Sequence, residues 1–356
     1  MELSALGFDD WFADRARELC GPGTTAARIT AVDRSRYLVR DELGELPAEL
    51  TGRYRREMAD PTQVPCVGDW ACVRLLDSRS HAIIEHLLPR RSFLRRKVAG
   101  RDVEFQMIAA NVDVALVVQA CHFDFNLRRL ERYLVMVREG HIRPIVLLTK
   151  TDLVSADVVD QMVAEVRRAG IDVPVIPVSN LTGDGIDEIL RCVPPGTTCC
   201  LLGSSGVGKS TLINHLAGDT ALKTSGVSHT GEGRHTTTRR QLFLLEGGRL
   251  LVDMPGMREL GMIAVDAGLA ETFGDVETFA ADCRFGDCSH TGEPGCAVRA
   301  AIARDELTEQ HLQSYLKLKR ESAHHDMSHA ERRRKDREFG RLVRSTLKHK
   351  GRRESH

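Results

Sequence analysis

The chain has no run of about 18 apolar residues, the length a membrane-spanning helix needs. Its opening residues, Met1 to Gly7, lack the basic segment followed by an apolar stretch that marks a secretory signal, so a cytoplasmic protein with no membrane partner is expected. Net charge is missing too: 50 Lys and Arg balance 50 Asp and Glu, which argues against a uniformly basic nucleic-acid binder. A disulfide framework is also absent from the spacing of the 10 cysteines. Cys20, Cys66, Cys72, Cys121, Cys192, Cys199 and Cys200 are scattered, and in a reducing compartment they read as small buried hydrophobes.

What is present suffices for a full core: 356 residues, 42% hydrophobic, enough for two or three domains. The neutral average hides a basic tail. Between Glu331 and Arg353, eleven Arg and Lys face only Glu331, Asp336 and Glu338.

Residues 3–20 have the spacing of a short amphipathic helix whose default role is packing. Short β segments at 27–32, 36–40, 70–75 and 82–88, separated by turn-rich stretches, predict a small β-barrel of OB or SH3-like type. From residue 112 apolar runs alternate with helical stretches, the pattern of a parallel sheet. After about residue 265 the pattern is helical. The expected division is a helical extension (1–24), a barrel (25–97), an α/β domain (98–265), a helical domain (266–323) and a basic tail (324–356).

Gly203, Ser204, Ser205, Gly206, Val207, Gly208, Lys209 and Ser210 match the phosphate loop, between an apolar strand and a helix beginning at Thr211. Glycines let backbone N–H groups turn inward around phosphates, and the helix adds its positive dipole end. Lys209 is placed to contact the β and γ phosphates and Ser210 to hold Mg²⁺. Upstream, a strand ends in Thr149, Lys150, Thr151 and Asp152, which resembles the guanine-reading tetrad of GTPases, usually Asn-Lys-x-Asp. A carboxylate at Asp152 accepts from both the ring N–H and the exocyclic amine of guanine, a pair adenine does not offer. Lys150 is expected over the ring plane; Thr149 departs from the usual Asn, and its shorter hydroxyl predicts weaker base affinity. Ser179 and Asn180 follow the next strand, as does the loop whose backbone meets guanine O6. Downstream, Asp253 and Gly256 close an Asp-x-x-Gly element whose carboxylate reaches Mg²⁺ through water, and Thr237, in Gly233 to Thr238, is the expected first-switch Mg²⁺ ligand. The base-reading motifs precede the phosphate loop, so the motif order is circularly permuted and the second switch leads directly into the C-terminal domain.

Cys283, Cys288, His290 and Cys296 form a Cys-x4-Cys-x-His-x5-Cys cluster, the closed ligand set of one structural zinc ion, expected to hold together a region too short to bury its own core.

Together the permuted order, the barrel in front, the Gly-Arg-His-Thr-Thr-Thr switch and the Cys/His cluster resemble the ribosome small subunit-dependent GTPase A family, over about residues 26–319. The resemblance implies an OB-fold barrel, a circularly permuted α/β P-loop GTPase domain and a C-terminal helical zinc-binding domain. It further implies GTP hydrolysis to GDP and phosphate, stimulated by the small (30S) ribosomal subunit during its late maturation. The expected partners are that subunit and its rRNA, with the protein itself a monomer. RNA contacts are expected from the barrel exit (Arg90, Arg91, Arg95, Arg96, Lys97), the zinc domain and the tail. Met257 occupies the position where many GTPases carry a water-orienting glutamine; a thioether donates no hydrogen bond, so slow unaided hydrolysis is expected, with His235 as candidate catalytic group. The rival readings are an ATPase or kinase on the same loop, which Asp152 opposes, and an RNA-binding assembly factor holding nucleotide only as a structural ligand.

Overall fold

The computed structural model describes residues 2–33, 36–58, 60–76, 79–97, 105–217, 240–253 and 266–326. At the N-terminus a 3-10 turn (Leu3–Leu6) leads into α1 (Asp10–Leu19), whose first turn is capped by the Asp9 carboxylate accepting from Phe12 N–H. Phe12 is fully buried and, with Phe8, packs on Trp70, so this extension is a packing element. A covalent tie reinforces it. Cys20 and Cys72, expected as separate thiols, are joined in a disulfide; the close approach of the α1 exit to the barrel was invisible in their spacing.

The barrel is made of β1 (Thr25–Asp33), β2 (Arg36–Arg40), β3 (Glu45–Leu50), β4 (Trp70–Leu76) and β5 (His81–Leu87), with the short helix α2 (Gly52–Glu57) between β3 and β4. Pairings β1–β2, β2–β3, β3–β5, β5–β4 and β4–β1 close the ring, with β3–β5 the one parallel pair among them. Ala27, Ile29, Val39, Ala48, Val73 and Ile84 fill its interior. Next, β6 (Phe93–Lys97) and β7 (Phe105–Ala110) form a separate two-stranded ribbon that crosses the boundary expected at 97/98.

The α/β domain comprises β8 (Val114–Ala120), α3 (Leu127–Glu139), β9 (Arg143–Thr149), α4 (Ala156–Arg168), β10 (Val175–Val178), α5 (Ile186–Cys192), β11 (Thr198–Leu202), α6 (Lys209–Ala217), β12 (Arg240–Leu244) and β13 (Leu250–Asp253). Strands β10, β9, β8, β11 and β13 run parallel in that order, and their near-continuous Val, Ile, Leu and Cys content reflects burial on both faces. The chain winds outward from β8 through β9 to β10, then returns to the other side of β8 as β11. That reversal makes the β8/β11 boundary a topological switch point, where the carboxyl ends of strands open a crevice for ligands. Antiparallel β12 caps the sheet and also pairs with β1 (Ala31 with Gln241, Val32 with Arg240), so one sheet runs from β10 into the barrel.

The helical domain holds α7 (Asp266–Thr272), α8 (Gly274–Ala281), α9 (Ala297–Ala303) and α10 (Glu309–Asp326). Contrary to expectation it has a core of its own: Phe273, Val276, Val298, Leu312 and Tyr315 pack together with Val135 from α3. A polar triad centred on buried His311 joins it to the α/β domain. His311 donates or accepts at both ring nitrogens, Nδ1 at 2.9 Å from Glu131 of α3 and Nε2 at 3.1 Å from Asp275 of α8. Burial opposes its protonation, but the bonds to Asp275 and Glu131 outweigh this and raise its pKa from 6.5 to about 9. A raised folded pKa gives stability that is complete below pH 6.5 and is lost as pH climbs through about 9. Thermal melts should therefore fall in midpoint across that window, and His311→Gln should flatten the fall; an identical slope in both proteins would refute the assignment.

Candidate functional site

The motif-bearing loops converge at one edge of the sheet. The phosphate loop leaves the end of β11 and enters α6; Gly203, Gly206 and Gly208 all have positive φ. A Cβ on Gly203 would lie 2.3 Å from the Val118 carbonyl oxygen of β8, so only glycine fits that close approach. Lys209 Nζ donates to the carbonyls of Gly203 (2.8 Å) and Ser204, folding its ammonium over the loop's concave side. Ser205, Ser210 and Thr211 are exposed at the rim.

The base-reading segments are hydrogen-bonded to this loop. Thr149, at the end of β9, is fully buried, and its hydroxyl lies 2.6 Å from the Val207 carbonyl and 3.2 Å from that of Gln119. It is thus engaged with the phosphate loop. Lys150 takes a left-handed conformation (φ 60°), turning the chain into the 3-10 turn Thr151–Leu153 that carries exposed Asp152. Ser179, after β10, donates to Asp152 Oδ1 at 2.8 Å. The Ser179 hydroxyl also accepts from the N–H groups of Leu181 and Thr182, which fixes the loop. Asn180 Nδ2 donates to the Gly208 carbonyl at 3.1 Å, and His215 of α6 bonds the Asn180 carbonyl at 2.8 Å. Gln119, also buried, exchanges two hydrogen bonds with the Asn126 backbone and so holds the loop that launches α3. His215 and Gln119 carried no motif signal; their roles depend on contacts remote in sequence. Asp253 ends β13, beside β11 in register with Cys200 opposite Val252, and so lies at the same edge. His235, Thr237, Gly256 and Met257 lie outside the described residues.

The arginines expected at an RNA-facing barrel exit are largely engaged elsewhere. Arg90 forms a two-pronged ion pair with buried Asp69 (2.6 and 2.7 Å) and also donates to the carbonyls of Thr62 and Val64. Arg91 pairs with Asp9 at 2.6 Å and lies over Phe12; Arg95 pairs with Glu139 and lies over Phe105; Arg96 bonds Gln106. These guanidinium groups fasten the extension, barrel and ribbon together, because each has a carboxylate, amide or ring within reach.

In the helical domain, the ligand atoms of Cys283, Cys288, His290 and Cys296 all lie within 4.8 Å of one another. Cys283 Sγ is 3.9 Å from Cys296 Sγ and 3.7 Å from His290 Nδ1, and Cys296 Sγ is 3.5 Å from the same nitrogen. Such separations suit the corners of a tetrahedron around an ion with bonds of about 2.0–2.3 Å. The loop is preset for this. His290 takes a left-handed φ, Glu293 accepts from the N–H groups of Ser289, Thr291 and Gly292, and Arg299 holds the His290 carbonyl at 2.7 Å.

The permuted order of these loops on a doubly wound sheet, with a five-stranded OB-like barrel in front and a helical Cys3His domain behind, defines a circularly permuted P-loop GTPase. Residues 87–263 match the model of the RsgA GTPase family. "Small ribosomal subunit biogenesis GTPase RsgA" of Opitutus terrae is 44% identical over 335 residues, covering 91% of this chain and 90% of that one. The like-named protein of Streptomyces coelicolor is 40% identical over 322 residues, covering 90% and 86%. The crystal structure of YloQ, described as a circularly permuted GTPase, superposes with a TM-score of 0.60 at 25% identity, covering 86% of this chain and 97% of that one. The chain belongs to the RsgA GTPase family and is a GTP-hydrolysing enzyme. Among the described residues, no helix is long and apolar enough to cross a membrane.

Proposed function

We propose that this enzyme binds the small ribosomal subunit in the cytoplasm as a monomer, contacts its rRNA, and hydrolyses GTP to GDP late in the subunit's maturation, with the subunit stimulating turnover. The supporting observation is the hydrogen-bonded union of base-reading and phosphate loops (Thr149 to Val207, Asn180 to Gly208, Ser179 to Asp152), together with relatives named for small-subunit biogenesis. In this reading Asp152 and Lys150, with Thr151 and the Ser179–Asn180 loop, hold guanine. The backbone from Gly203 to Thr211 and the Lys209 ammonium hold the phosphates. Ser210, Thr237 and Asp253, with Gly256, form the Mg²⁺ and switch set, and the ion supplies charge neutralisation at the γ phosphate. One zinc ion occupies the Cys283, Cys288, His290 and Cys296 site as a structural element.

Because Met257 offers no donor to a water molecule, His235 is assigned to orient the attacking water when the subunit is bound. Phosphate release measured with and without purified small subunits tests this. Subunits should raise turnover, and His235→Ala should lower the stimulated rate roughly 100-fold while GTP affinity stays intact. Turnover indifferent to subunits would end the proposal.

A further inference from the structure

A second surface stands apart from the nucleotide pocket, where α3 of the GTPase domain meets α10 of the helical domain. A groove of about 170 Å³ there is lined by Arg128, Arg129 and Arg132 on one side and Gln313, Ser314 and Lys317 on the other. The arginines occupy the first turns of α3, which follows the carboxyl end of β8 and so begins at the same sheet edge as the phosphate loop.

Charge here is unbalanced. Arg129 is paired with Asp124 at 2.9 Å and Arg132 with Glu321 at 2.8 Å, but exposed Arg128 and Lys317 have no ionic partner among the described residues. Four cations against two carboxylates leave an excess of two positive charges. The two cations left over are exposed and suit a ligand that carries negative charge.

We infer that this groove seats the phosphate backbone of RNA. The inference rests on the proposed ribosomal partner, whose RNA supplies phosphates in succession to suit cations presented by two helices. Arg128 and Lys317, exposed on facing helices, take the phosphate charge. Because α3 and α10 belong to different domains, RNA seated here touches both at once and resists their separation.

The test uses the full chain, purified small subunits and a non-hydrolysable GTP analogue, with co-sedimentation measured from about 50 to 200 mM salt. The double substitution Arg128→Gln with Lys317→Gln removes two exposed charges and is not expected to disturb folding, which unchanged melting and GTP affinity would verify. Binding should weaken by roughly tenfold at the lower salt, and the log–log salt dependence should become shallower by about 1 to 2. Deproteinised small-subunit RNA should compete with subunits for the wild type far better than for the variant. If the wild type sediments with subunits and the variant matches it in affinity and slope, the groove assignment falls alone. If the wild type itself does not sediment, the ribosomal reading falls and takes this one with it. Competition by ribosomal proteins but not by RNA would overturn the choice of RNA.

Discussion

Asp152→Asn is expected to weaken GTP binding by about 10² to 10⁴-fold and to move the preference toward xanthosine triphosphate. A carboxylate accepts from both guanine donors, and each such charge-assisted bond contributes about 1.5–3 kcal/mol, which sets that range. An asparagine amide presents one acceptor and one donor, which complements the ring N–H and the carbonyl of xanthine instead. The fold should tolerate the change, because the Asn carbonyl can still accept the Ser179 hydroxyl that lies 2.8 Å from Asp152 Oδ1. Competitive titration of a fluorescent guanine nucleotide with GTP, ATP and xanthosine triphosphate reads the outcome. Unaltered GTP affinity would remove Asp152 from the base site.

Metal removal is the second large effect. Small modules without a core lose on the order of 10 kcal/mol when structural zinc is withdrawn. Here Phe273, Val276, Val298, Leu312 and Tyr315 supply a core beyond the ligand cysteines that adjoin it, so the expected loss is smaller, about 3–5 kcal/mol, concentrated in the loop between α8 and α9. Cys288→Ser should reduce bound zinc from one ion per chain to near zero, with protease cleavage between Cys283 and Cys296 as the local readout. GTP affinity, set by loops that contain none of the four ligands, should be unaffected. Retention of a full equivalent of zinc by the Cys288 variant would refute the ligand set.

The phosphate loop and the Cys/His cluster were legible because each is contiguous and its chemistry is local: glycines where φ must be positive, thiolates at ligand spacing. The Thr149 contact was not, since its partner Val207 lies 58 residues away and only the parallel placement of β9, β8 and β11 brings them together. Strand β3 escaped notice because Pro47 and the polar Glu45 and Glu49 obscure an alternation in which Leu46 and Ala48 point inward. Arg90 read as a surface cation until Asp69 was found beneath it. In the same way, nothing in His311, Glu131 and Asp275 marks them as a triad, because their chain separations exceed any motif.

The shared strand β12 changes what counts as a module. Along the chain the barrel ends well before the GTPase domain begins, yet Ala31 and Val32 are laced to Gln241 and Arg240, and Gln241 in turn to Asp253. The barrel is therefore a graft on the enzyme's sheet and not a bead on a tether. Cutting the gene after the fifth strand would leave raw backbone on both fragments, and lengthening the connector would not set the barrel free.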